Sequence, residues 1–172
     1  MPLDNSNSDV KGSWWFNADG GDCTNFVSRC LYEGGWPMKG PAHNIDPNYH
    51  WYMYGIMYKY PWPYSNSFTC ADDFSKFLYI YIYSDRGYPC SLAHHPWNEY
   101  FEIGDIVQID YTGDGRMDHT MIVTEINGDE MYVTYHTENT HRKALTKVIN
   151  DTLYKRPDAR FMGYHLVDSF NW

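Results

Sequence analysis

The chain has 172 residues, enough for one domain with a real core, and carries 43% hydrophobic residues including seventeen Tyr and seven Trp. So aromatic a composition does not describe a disordered chain, and a net charge of −9 argues against nucleic acid and against electrostatic capture by an anionic surface. No run of about 18 apolar residues is present to span a membrane, and the N-terminus lacks the basic-then-apolar order of a signal peptide.

In chain order, residues 1–12 read as a flexible lead-in. A first helix is predicted over Asp22–Glu33, with Asp22 as N-cap and Phe26, Val27, Cys30 and Leu31 as an apolar stripe. Gly34-Gly35 ends it. A loop dense in Pro, Tyr and Trp follows to about Phe68, and a second helix starts at Thr69, with Phe74, Phe77 and Leu78 inward. Beyond SDRGYPCSLAHHPWNEY, taken as loop, the period changes to two. EIGDIVQID, HTMIVTEI, MYVTYHT and ARFMGYHLV read as strands, the middle two forming a hairpin around NGDE. Helices followed by antiparallel strands define an α+β order.

Cys23 falls at about the first helical position of the first helix. There the unpaired N–H groups and the positive end of the helix dipole favour a thiolate and can bind an oxyanion beside it. Cys30, in mid-helix, reads as core. A thiolate nucleophile needs a base, and among eight histidines His119 stands out because it opens a strand rather than lying in a loop. The hairpin register suggests its partner. With Asn127-Gly128 as the turn, His119 faces His136; with Gly128-Asp129, it faces Glu138. Asn139 has the wrong parity unless the strand has ended. His136 is the favoured polar partner to orient the imidazole.

Other features stay open. Cys70 and Cys90 read as two buried free thiols, with a disulfide as the alternative in an oxidising medium. Asp110 to Asp118 has the oxygen spacing of the start of a calcium loop, but Thr112 and Met121 occupy two ligand positions, which favours a tight turn aiming His119. Trp14, Trp15, Trp36, Trp51 and Trp62 suit sugar stacking or a peptide groove, or fill a core poor in Leu and Val.

Three blocks, GGDCTNFVSRCLYEGGWPM, GDIVQIDYTGDGRMDHTMIVT and YVTYHTENT, resemble the bacterial putative amidase domain family. Its hallmark is close to GGDCTNFVSQ, followed by GDGxxDHS and HTxNT. The likeness runs from about Trp14 to Leu166; Arg29 stands in place of Gln and Thr120 in place of Ser. It places the chain with the NlpC-type and CHAP-type papain-like cysteine hydrolases. It implies a papain-like fold with the nucleophile at the N-terminus of a helix packed on an antiparallel sheet, residues 1–172 forming one such domain. It implies Cys23 as nucleophile, His119 as general base and His136 as third residue. Asn17, six residues before Cys23, is the candidate side chain for the oxyanion hole. The implied activity is amide-bond cleavage in peptidoglycan, with no metal or other cofactor, by an enzyme that reaches the wall through a pore, by specialised secretion or as part of a longer secreted protein. A phage endolysin and an antibacterial effector both fit. The alternatives are a zinc amidase using His119 and His136, and a non-catalytic wall-binding module.

Overall fold

The computed structural model describes residues 22–40, 50–53, 64–85, 89–91 and 101–166. The predicted lead-in, Asn17, Trp14, Trp15 and Trp62 lie outside the described residues. Helix α1 spans Cys23–Glu33, with Gly34-Gly35 closing it. Trp36 N–H reaches back to the Leu31 carbonyl, and Gly35 takes φ +104°, a conformation that favours glycine. Asp22 stands at the N-cap position, but its side chain makes no capping bond, contrary to expectation.

A short helix, α2 (Asn66–Thr69), precedes α3 (Ala71–Asp85). The Thr69 hydroxyl bonds back to Asn66 rather than capping α3, and the Cys70 carbonyl accepts the Phe74 N–H instead. Phe74, Phe77 and Leu78 do point inward. Cys70 is exposed and free, which corrects the expectation of a buried thiol; the Cys90 side chain lies outside the described residues.

Six antiparallel strands form one sheet in the order β1-β6-β2-β3-β4-β5. They are β1 (Pro89–Ser91), β2 (Ile106–Asp110), β3 (His119–Asn127), β4 (Glu130–Tyr135), β5 (Thr140–Ala144) and β6 (Arg160–Tyr164). Strand β1 falls in a segment expected to be loop and pairs with β6. Helix α4 (Leu145–Lys155) was not anticipated, although Leu145, Val148 and Ile149 fall at helical spacing; Leu145 and Val148 are buried and Ile149 packs against the same core. The fold is α+β, as expected.

Because strand residues alternate faces, the sheet carries two cores. Ile106, Ile122 and Tyr164 join Phe26, Val27, Leu31, Phe68 and Phe74 on the α1–α3 side. Trp51, fully buried, belongs to that core, so this tryptophan fills space rather than meeting a ligand. Val107, Ile109, Met121, Val123, Val133 and Tyr135 pack with Leu145 and Val148 on the α4 side.

The hairpin turn is Gly128-Asp129, since Asn127 pairs with Glu130. A bulge between Val123 and Glu125 then shifts the pairing by one residue, so that Val123 meets Val133 and Ile122 meets Thr134. A one-residue shift turns side chains to the other face. Tyr135 therefore shares the face of His119, and His136 does not.

The loop leading to His119 is a carboxylate-pinned turn. Asp110 accepts N–H groups from Gly113 at 2.7 Å, Gly115 at 2.8 Å and Thr112 at 3.1 Å, while Asp118 accepts the Tyr111 N–H at 2.7 Å. Burial opposes charge on Asp110, but these N–H groups outweigh it and hold its carboxyl below the usual range. Gly113 sits at φ +73°, and a Cβ there would lie 2.5 Å from the Asp158 carbonyl oxygen; Gly115, at φ +89°, faces open space. Gly113→Ala should thus lower unfolding free energy by about 2 kcal/mol or more, and Gly115→Ala by only about 1 kcal/mol, in urea titrations. Equal costs at the two positions would contradict this reading of the loop.

Candidate functional site

Helix α1 packs on β3 and β4, bringing its first residue to the start of β3. The buried Thr24 and Thr120 hydroxyls meet at 2.8 Å, and Gln108 Nε2 donates to Thr120 Oγ1 at 2.9 Å and to the Ala71 carbonyl at 2.9 Å. Thr24 carried no sequence signal and Thr120 stood out only as a replacement for Ser, although each adjoins one of the two predicted residues.

Cys23 and His119 line the same cleft of about 360 Å³. Tyr111, Tyr135 and Glu138 contribute to its wall, α4 adds Asp151, Thr152 and Lys155, and Arg156 follows. The Arg156 guanidinium lies 4.2 Å from the Tyr111 ring centre. Tyr111 is mostly buried, and its phenol is pushed up to about 12 by burial, with Tyr135 adding to the shift. None of Tyr111, Tyr135 or Arg156 carried a sequence signal, because they come from separate strands and loops.

The Cys23 side chain is buried, with its sulfur 3.8 Å from Thr24 Oγ1. Burial pushes its thiol up; the backbone N–H of Thr120 and the hydroxyl and N–H of Thr24 pull it down, but less strongly. The lowered pKa expected from a helix N-terminus is therefore not realised in the resting site. His119 is 7% exposed, and burial drops its imidazole to about 4. Near neutral pH both groups are uncharged.

His119 is held by rings. Tyr135 meets it edge-on at 4.8 Å and Tyr111 lies roughly parallel at 6.2 Å. Its Nε2 is buried with no hydrogen-bond partner among the described residues. The cross-strand reading that set His136 beside His119 fails because of the bulge. His136 stacks on Phe26 at 4.1 Å, and its Nδ1 lies 2.9 Å from Asp22 Oδ2. Glu138 reaches the cleft from the turn after β4, where Thr137 and Asn139 take positive φ of 89° and 38°. No hydrogen bond joins either Glu138 or Asn139 to His119. His119 and His136 pack on opposite faces of the sheet and cannot share one ion. Among the described residues no three His, Cys, Asp or Glu converge as metal ligands.

The chain belongs to the family described as "Putative amidase domain", which matches residues 5–160. It is similar to two proteins of Bacillus subtilis (strain 168). It is 26% identical to "Uncharacterized protein YhbB" over 147 residues, covering 86% of this chain and 42% of that one. It is 29% identical to "Uncharacterized protein YjcM" over 126 residues, covering 69% of this chain and 25% of that one. The chain thus spans less than half the length of either relative. No solved structure matches it.

The His119 environment gives stability a defined pH dependence. Its folded value, about 4, lies below the ordinary 6.5, so the unfolded chain takes up the proton first. This contribution is complete above pH 6.5 and is lost as pH falls toward 4. The loss approaches about 3 kcal/mol. Urea unfolding at pH 7 and pH 4 should show the wild type losing more stability over this span than His119→Gln, by about that amount. Parallel losses in the two proteins would contradict a buried neutral imidazole.

Proposed function

We propose that this chain is a papain-like cysteine amide hydrolase of the NlpC-type and CHAP-type group, acting on peptidoglycan as one catalytic domain. The observation that carries the reading is that Cys23, at the tip of α1, and His119, at the mouth of β3, line one cleft. Membership of an amidase family fits an amide carbonyl as the group attacked.

In this reading the site rests as neutral thiol and neutral imidazole. As the sulfur attacks the carbonyl, His119 takes the thiol proton. The developing oxyanion finds N–H groups at the start of α1. His119 then gives the proton to the leaving amine. Water attacks the resulting thioester with His119 again as base, releasing the carboxylate product and restoring the thiol. Every proton passes through His119, from the thiol to the leaving amine and then from water back to the sulfur, and no external charge is needed. Tyr111 and Tyr135, rather than His136, fix the ring. Asn17 remains the candidate side-chain donor to the oxyanion, outside the described residues.

The test is digestion of purified peptidoglycan by the wild type and by Cys23→Ala, with released fragments identified by mass spectrometry. Wild-type release should fall by at least a hundredfold, roughly the least expected from loss of a covalent nucleophile, and the new termini would name the bond. Equal release by both proteins would overturn the nucleophile assignment.

A further inference from the structure

Aspartate is among the best N-caps because its carboxylate accepts the N–H of the second or third helical residue. Asp22 stands at that position, and its own carbonyl accepts the Phe26 N–H at 2.8 Å, as an N-cap should. Yet its carboxylate makes no bond to α1. It turns instead to His136, with Oδ2 to Nδ1 at 2.9 Å. A carboxylate only accepts, so Nδ1 carries the proton of this bond. Both side chains are largely sheltered, at 15% and 18% exposed, so the contact is not a solvent-averaged surface pair.

We propose that His136 withholds Asp22 from the N-terminus of α1, leaving the first N–H groups of the helix open to the Cys23 sulfur and to the oxyanion formed on attack. Asp22 and His136 are positioning residues; neither touches the reacting atoms. The inference rests on Cys23 as the reacting thiol.

The competition is local. The N–H of Thr24, the second helical residue, is one that an aspartate cap would take, and it is also one of the groups drawing the Cys23 thiol down. Were the carboxylate to swing onto the helix, the sulfur would lose that donor. It would also gain a negative charge beside it, and the positive end of the dipole would be cancelled. The charge of Asp22 already raises the thiol from where it stands.

His136 is well placed for this task. Its ring lies nearly parallel to that of Phe26, at 15° and 4.1 Å, so the helix it keeps uncapped also seats it. The one-residue shift of β4 that removed it from His119 is what turns it to this side. Asp22, beside Cys23, and His136, in HTENT, thereby meet across 114 positions of sequence.

The experiment follows the rate of Cys23 alkylation by iodoacetamide at pH 8. The Cys23 peptide is read by mass spectrometry so that Cys30, Cys70 and Cys90 do not contribute. His136→Phe keeps a ring on Phe26 but cannot bond Asp22, and should react roughly tenfold more slowly than wild type. Asp22→Ala should stay within about threefold of wild type, and the double variant Asp22→Ala/His136→Phe should recover to the rate of Asp22→Ala. His136→Gln, whose amide can still donate to Asp22, should react as wild type. If circular dichroism shows His136→Phe unfolded, His136→Leu takes its place in both variants. A double variant as slow as His136→Phe, or a His136→Phe protein that reacts as fast as wild type or faster, would overturn the proposal. A merely structural role gives the faster outcome, because loosening α1 exposes Cys23. No substrate enters the measurement, so failure to cut peptidoglycan would leave its result intact.

Discussion

The site depends on a bond between two buried hydroxyls, Thr24 at the start of α1 and Thr120 on β3, 2.8 Å apart. A buried hydroxyl without a partner costs roughly 1–3 kcal/mol, so each hydroxyl strongly constrains where the other can lie. Gln108 extends the constraint by bridging Thr120 to the backbone at Ala71, which ties α1, β2, β3 and the start of α3 at one point. Apolar packing on both faces of the sheet supplies the driving force but little direction. The hydroxyl pair supplies the direction, and Cys23 and His119, each one residue from it, reach a common cleft as a result.

Two opposing effects act on Cys23. The helix terminus favours a thiolate by about 0.3–2 kcal/mol, whereas burial disfavours any charge by several pKa units when it is complete. Here burial wins at both members of the pair, raising the thiol and lowering the imidazole to about 4. A neutral resting pair suits two side chains this buried, since an ion pair between them would cost desolvation of both charges before substrate arrives. It also gives meaning to the diversion of Asp22, because a charged cap beside an already disfavoured thiolate would add to the penalty.

Much of this architecture was legible in the sequence. The 3.6-residue stripe of α1, the inward Phe74, Phe77 and Leu78, and the hairpin around NGDE all follow from local periodicity. Cys23 and His119 were legible because each opens an element. His136 was placed on the wrong face because the bulge near Thr124 leaves no mark: a threonine reads as an ordinary strand residue, and one shift in pairing reverses parity. Helix α4 carried a legible stripe in Leu145, Val148 and Ile149, but the cleft residues it brings, Asp151, Thr152 and Lys155, are ordinary polar residues and give no signal of a site. Asp22 had the right residue type for a cap, but a tertiary partner 114 residues away outcompeted the helix for its carboxylate.

The central claim is that Cys23 and His119 form one proton-exchanging pair that rests uncharged. Its most direct test is nitrogen NMR of the His119 imidazole, followed through pH in the free protein and again after Cys23 is capped as a methyl disulfide. The account predicts a neutral ring at pH 7, protonation only well below pH 6.5, and a clear change in the His119 signals on capping. A ring that is charged at pH 7, or one whose signals ignore the state of Cys23, would contradict it.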